Sequence, residues 1–132
     1  MKILVTGVKG QLGFDVVNEL QKRGHTAIGV DIEEMDITNK ESVNTVIHGA
    51  NPDGVIHCAA WTAVDAAEEE ENKEKVMAVN ASGTRYIAEV CKDLAIPMMY
   101  ISTDYIFDGQ GKTPWTPDQQ NYAPLNLSLI HI

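Results

Sequence analysis

The first thirteen residues constrain this chain more than any other stretch. Lys2-Ile3-Leu4-Val5-Thr6 is a short β-branched apolar run, and Gly7-Val8-Lys9-Gly10-Gln11-Leu12-Gly13 follows it directly. Leu12, Val16, Val17 and Leu20 then recur at helical spacing as far as Arg23-Gly24, where glycine supplies the usual helix stop. A strand that passes through three glycines into a helix brings backbone within reach of a pyrophosphate. The first amides of that helix, and the positive end of its dipole, face whatever sits at the turn. Gly13 is expected to let helix and strand pack closely. The unit predicts a dinucleotide-binding turn, with a plain strand-to-helix turn as the alternative.

The alternation continues. Residues 25–30 read as a second strand, and a third is expected to end at Asp36-Ile37. Thr38-Asn39-Lys40-Glu41 has the form of a capping box, with Thr38 and Glu41 opening a helix through Val43 and Ile47. Asn51-Pro52-Asp53-Gly54 is turn chemistry before a buried strand at residues 55–58. Val76, Asn80, Gly83, Ile87, Val90, Cys91 and Leu94 share one face of a long helix, and residues 97–102 form a fifth apolar strand. Strands separated by helices require crossovers. The expected fold is therefore α/β, a Rossmann-type doubly wound parallel sheet that stops after the fifth strand. Residues 1–126 are expected to form an incomplete NAD(P)-binding Rossmann domain. Residues 127–132 read as an unrelated tail of the kind a frameshift or cloning scar leaves.

Composition narrows the function classes. A chain of 132 residues with 44% hydrophobic and 22% charged residues suits one globular domain. A net charge of −9 disfavours non-specific nucleic-acid binding, which depends on Lys and Arg neutralising phosphates. No apolar run approaches the ~20 residues of a membrane helix, and the N-terminus lacks a signal peptide's cleavage site. The expected location is cytoplasmic. Cys58 and Cys91 have neither metal-ligand nor disulfide-framework spacing, so reduced buried thiols and no metal site are expected. Glu68-Glu69-Glu70-Glu71 reads as a solvated helix face.

Chemistry-bearing residues cluster at strand ends. Asp31 ends the second strand, where a carboxylate accepts from ribose hydroxyls and repels a 2′-phosphate; it leans toward NAD, with Lys9 and Arg23 near enough in sequence to soften the preference. Asp36 and Ile37 are placed to meet an adenine, with a helix-entry turn as the alternative. Cys58, Ala59 and Ala60 are small enough to leave room for a cofactor beside the sheet. Lone His57 reads as a strand residue with a satisfied ring. Asn80, mid-helix on an apolar face, needs a hydrogen-bond partner. Ser102-Thr103-Asp104-Tyr105 follows the fifth strand, where a hydroxyl can hydrogen-bond a substrate carbonyl. Trp61 and Trp115 are candidates to flank a substrate pocket.

Together these strings resemble the extended short-chain dehydrogenase/reductase family, and more closely its dTDP-4-dehydrorhamnose reductases. The resemblance rests on residues 2–13, on Cys58-Ala59-Ala60-Trp61-Thr62-Ala63-Val64-Asp65, on Val79-Asn80, and on Tyr100-Ile101-Ser102-Thr103-Asp104-Tyr105-Ile106-Phe107-Asp108-Gly109. It implies NAD(P)H-dependent reduction of the 4-keto group of dTDP-4-dehydro-L-rhamnose to dTDP-L-rhamnose, for polysaccharide biosynthesis. It implies NAD(H) or NADP(H) at Gly7, Gly10, Gln11, Leu12, Gly13, Asp31, Asp36, Ile37, Cys58, Ala59, Ala60 and Asn80. A nucleotide sugar is implied at Thr62, Ala63, Val64 and Asp104, and a homodimer in the full-length parent. Thr103 would assist a proton-donating Tyr, and a Lys four residues beyond that Tyr would lower its pKa. Here Ser128 and Ile132 stand where the resemblance places that Tyr and Lys. An inactive fragment of an active parent is therefore expected. The alternative is a non-catalytic NAD(P)-binding subunit resembling the regulatory β subunit of methionine adenosyltransferase. A flavodoxin-like or response-regulator domain is disfavoured by the three-glycine turn.

Overall fold

A computed structural model describes residues 1–103, 106–110, 113–118 and 122. Four parallel strands form its sheet: β1 (Lys2–Thr6), β2 (Thr26–Val30), β3 (Gly54–His57) and β4 (Met98–Tyr100), in the order β2-β1-β3-β4. Leu4 sits opposite Ile28 on one side and Val55 on the other, and Val55 opposite Met98. Helix α1 (Gln11–Lys22) joins β1 to β2, α2 (Lys40–Ala50) joins β2 to β3, and α5 (Thr84–Asp93) precedes β4. The strand order steps outward from β1 in both directions. Right-handed crossovers then put α1 on one face of the sheet and α2 and α5 on the other.

The α2/α5 face holds the core. Leu4, Val30 and Val55 pack with Met35, with Val43 and Ile47 of α2, and with Ile87, Val90 and Cys91 of α5, all buried. Each such aliphatic side chain contributes about 1.5–3 kcal/mol by leaving water. On the opposite face α1 packs on β1 and β2; Phe14 is 61% exposed and Met99, on β4, 58% exposed. Gly24, at φ +76°, ends α1 as expected, with the amides of Gly24 and His25 closing on the carbonyls of Gln21 and Leu20.

The expected third strand is absent among the described residues, because Asp31 captures the backbone that would build it. Its carbonyl accepts from Glu34 N (3.1 Å) and Met35 N (2.8 Å), its Oδ1 from Ile32 N (2.9 Å), and residues 31–39 fold as turns. The fifth expected strand is therefore β4, and it is shorter than residues 97–102. The capping box is also corrected. Asp36 Oδ1 takes the Thr38 amide (2.9 Å) and hydroxyl (2.7 Å), so the cap passes to Asn39, whose side chain accepts from Glu41 N and Ser42 N. The acidic run starts just after α3 (Val64–Ala67) and continues into a 3₁₀ turn (Glu70–Asn72), exposed to solvent. Cys91 is buried, whereas Cys58 is only half-buried; both are free, and burial raises both thiols. No helix among the described residues is long and apolar enough to cross a membrane.

One feature had no sequence signal. The helix expected over residues 76–94 begins as α4 (Lys73–Val76), runs through a seven-residue π-helical segment (Met77–Gly83), and continues as α5. Asn80 and Gly83 are the buried residues of the π segment. A Cβ on Gly83 would meet Ile37 Cγ1 at 3.0 Å and Ile37 O at 3.1 Å, so the wide turn packs directly on the loop before α2.

Candidate functional site

The carboxyl ends of β1 and β3 flank the point where the sheet's winding reverses, and a cavity of about 900 Å³ opens across them. Its floor begins at Thr6. The buried Thr6 hydroxyl oxygen accepts from Cys58 N and Ala59 N, both at 3.1 Å, pinning the end of β3 to the end of β1. Gly7 follows at φ +70°, and a Cβ there would meet the Ala59 backbone at 2.8 Å. Both its backbone angle and its space exclude a side chain.

Gly10 opens α1 with no side-chain cap, and no acidic residue occupies the first turn. The amides of Gln11, Leu12 and Gly13 belong to the helix end that has no partner within the helix. Gly13 is the buried residue of α1, and a Cβ there would lie 2.2 Å from Gly7 O. This is close packing of helix on turn, achieved by the absence of a side chain.

Asp31 borders the cavity beside the turn. Its Oδ2 accepts the Lys9 amide at 2.9 Å, tying the second strand's carboxylate to the glycine turn itself. Lys9 Nζ pairs with Glu33 at 2.9 Å. That hydrogen bond chiefly, with the charges of Glu33, Glu34 and Asp31, raises the lysine's pKa. Arg23 pairs with Glu19 at the far end of α1, away from the turn. The cavity mouth here is acidic, with its cation already paired.

The structure brings most of the sequence-predicted residues to this cavity. Gly7, Gly10, Gln11, Leu12 and Gly13 line it at the turn, and Asp31, Asp36 and Ile37 along the loop after β2. Cys58, Ala59, Ala60 and Thr62 line it after β3, with Val64, Asn80 and Thr103 beyond. Ala63 is not among the lining residues; its carbonyl accepts from Trp61 Nε1 at 3.1 Å. Asp104 lies outside the described residues, as do Ser128 and Ile132. Trp61 lines the cavity, but Trp115 does not. Trp115 stacks on Phe107 with ring centroids 4.5 Å apart, and packing takes it out of the site.

Asn80 has the partner its position demands. Its Oδ1 accepts Trp61 N at 2.8 Å and its Nδ2 donates to Trp61 O at 3.2 Å, a two-point clamp on the loop after β3. Sequence reasoning missed Thr6 and Tyr100, which also line the cavity, as does Lys9. Thr6 carried a signal: it is the one hydroxyl closing an apolar strand immediately before the turn. Tyr100 carried none, because its place depends on the register of β4 against β3.

A parallel sheet wound both ways from a switch point, with a three-glycine turn between its first strand and first helix, defines the chain as a Rossmann-type α/β protein. Residues 1–128 match the RmlD substrate binding domain family, and the chain belongs to it. It is 38% identical over 123 residues to dTDP-4-keto-6-deoxy-D-glucose reductase of Streptomyces niveus, covering 93% of this chain and 42% of that protein. A solved dTDP-4-dehydrorhamnose reductase from Clostridium acetobutylicum superposes with a TM-score of 0.89 at 37% identity, covering 97% of this chain and 45% of that one. The dTDP-4-dehydrorhamnose reductase of Bacillus anthracis, solved in complex with NADP, gives 0.83 at 34% identity, covering 96% and 44%. The chain thus spans less than half the length of these relatives.

Proposed function

We propose that this chain is the dinucleotide-binding part of an NAD(P)H-dependent sugar-nucleotide reductase. The parent would reduce the 4-keto group of dTDP-4-dehydro-L-rhamnose to dTDP-L-rhamnose. One observation carries the reading: an uncapped helix start over a glycine turn in which Gly7 and Gly13 cannot bear side chains, with Asp31 fastened to the same turn. Such a cradle suits a pyrophosphate on the amides of residues 11–13 and a ribose on the Asp31 carboxylate. Both resolved relatives named above are 4-dehydrorhamnose reductases, which favours the same substrate class for the parent.

In this reading the backbone of Gly7, Gly10, Gln11, Leu12 and Gly13 holds the phosphates. Asp36 and Ile37 border the adenine; the Asp36 carboxylate keeps Oδ2 for it, since Oδ1 serves Thr38. Cys58, Ala59 and Ala60 leave width for the nicotinamide end, and Asn80 fixes their loop through Trp61. Thr62, Ala63, Val64 and Asp104 belong to the sugar-nucleotide side. The bound nicotinamide supplies the hydride. Thr103 offers its hydroxyl to the carbonyl that is reduced, beside a proton donor that the parent contributes. With Ser128 and Ile132 in place of the Tyr and Lys, the 132-residue chain binds dinucleotide weakly and without turnover. The parent acts as a homodimer in the cytoplasm.

The test is isothermal titration of the full-length parent with NADH and NADPH, followed by turnover of the 4-keto sugar nucleotide. NADH should bind at least as tightly as NADPH. A clear NADPH preference removes the Asp31 argument. Tight binding with no turnover by the parent favours the non-catalytic, regulatory-subunit reading instead.

A further inference from the structure

His57 is buried at the cavity floor, which it helps to line, and the hydrogen bonds around it leave its ring one arrangement. Its Nδ1 lies 2.7 Å from Thr6 Oγ1 and its Nε2 3.1 Å from Thr84 Oγ1. Thr6 Oγ1 already accepts two backbone amides, from Cys58 and Ala59, so both its lone pairs are used and its proton must go to Nδ1. The ring therefore carries its proton on Nε2 and donates it to Thr84. Thr84 in turn donates to Asn80 O at 2.8 Å, which leaves its oxygen to accept from His57 Nε2. Every donor in this chain finds one acceptor, and no buried side-chain polar atom among the described residues lacks a partner.

From this geometry we propose that His57 is a positioning residue for the dinucleotide site, a neutral Nε2-protonated ring that braces Thr6 against the π-helical segment. The proposal rests on the dinucleotide reading above. The brace works through Thr6: with its proton given to His57, the hydroxyl oxygen is aimed at the amides of Cys58 and Ala59. Those two residues form the cavity floor next to Gly7, whose α-carbon side is filled by Ala59. At its other end the chain stops at Asn80 O, in the residue whose side chain clamps Trp61. One ring thus sets the spacing between the glycine turn, the floor and the loop after β3. Burial supports the neutral state, lowering the pKa of His57 to about 4. A protonated ring would present a second hydrogen to a Thr6 oxygen that has no lone pair left for it.

Imidazole ¹⁵N–¹H correlation spectra of the 132-residue chain at pH 7 should report the Nε2–H tautomer, unchanged between pH 5.5 and 8. The Cys58 and Ala59 amides should exchange slowly. Two variants separate the contacts. His57→Asn keeps an acceptor near the Nδ1 position for the Thr6 hydroxyl, whereas His57→Phe keeps the ring's bulk and neither nitrogen. At matched folding, judged by amide dispersion, His57→Phe should lose about tenfold in NADH affinity, roughly the worth of one hydrogen bond. Exchange at Cys58 and Ala59 should accelerate with it, and His57→Asn should recover most of both. An Nδ1–H or charged ring in the wild-type chain overturns the proposal, as does a folded His57→Phe with unaltered affinity and exchange. No dinucleotide binding by the wild-type chain, with tautomer and amide protection as expected, instead refutes the proposed function and leaves the brace standing.

Discussion

Replacing Gly13 by Ala would introduce a single methyl where the structure has no room. The added Cβ would stand 2.2 Å from Gly7 O, 2.7 Å from Gly7 C and 2.9 Å from Val8 Cα. Reaching an ordinary contact of 3.4 Å requires helix and turn to part by more than about 1 Å. All three neighbours are backbone atoms, so no side chain can rotate away. Gly7 cannot retreat either, since it already lies against the Ala59 backbone and its own φ is +70°. Overpacking of this kind costs about 1–3 kcal/mol, and a clash with backbone on both sides belongs at the upper end. Urea denaturation of Gly13→Ala should therefore show a loss of about 3 kcal/mol, and titration with NADH a loss of about 100-fold or more. Gly10→Ala is the matched control. Its Cβ meets only Gly7 O, at 3.3 Å, from an extended backbone that alanine adopts freely. It should fold almost normally and yet bind poorly, because the methyl occupies the open side of the turn. A Gly13→Ala protein with wild-type midpoint and wild-type affinity would refute both the close-packing argument and the place assigned to the pyrophosphate.

Three further outcomes follow from particular contacts. Asn39→Ala should cost about 1 kcal/mol in denaturant unfolding, since Glu41 N and Ser42 N lose their acceptor, while Thr38→Ala should cost clearly less; equal losses would restore the capping box. Acid should destabilise the chain through His57, whose ordinary pKa of 6.5 falls to about 4 on folding. The unfolded chain then binds the extra proton, so stability is full above pH 6.5 and falls by about 3 kcal/mol as pH drops to 4. The titratable neighbours Cys58 and Tyr100 are both pushed upward by burial and stay neutral in this window. Urea midpoints for wild type and His57→Asn should converge toward pH 4, and parallel curves would remove His57 from the account. In the full-length parent, Thr103→Val should lower turnover by about 10²–10⁴-fold with little change in cofactor affinity, measured by steady-state kinetics; undiminished turnover would free Thr103 of a role at the carbonyl.

Elements with a repeating signal were legible in the sequence. The apolar strand, three-glycine turn and amphipathic helix of residues 2–22 needed only local periodicity, and so did α2 and the α4-to-α5 face. What escaped was decided by one side chain competing with a pattern. A strand is expected to end at Asp36-Ile37, but the Asp31 carboxylate and carbonyl take the amides that a ladder would use. Thr38 has the sequence of a cap, but Asp36 binds it first. The π-helical segment has no periodicity of its own that a helical repeat would betray, and the pairing of His57 with Thr6 and Thr84 joins positions 51 and 27 residues away. Strand-end residues could be placed at the cavity because parallel strands bring their carboxyl ends together, whereas Trp115 offered no such constraint and stacks on Phe107 instead.

The bond from Lys9 N to Asp31 Oδ2 has a consequence for how cofactor choice can evolve or be engineered. In the proposed reading, the carboxylate that meets the ribose also holds the turn that grips the phosphates. Removing it to admit a 2′-phosphate releases the Lys9 amide as well, so the first step toward NADP loosens binding of either dinucleotide. A second change that re-anchors the turn, or that frees Lys9 from Glu33, gains value only after the first has been made. On that reading specificity and affinity would be coupled traits. A route between cofactors would then cross a weak-binding intermediate, and the order in which its substitutions are fixed would matter as much as their identity.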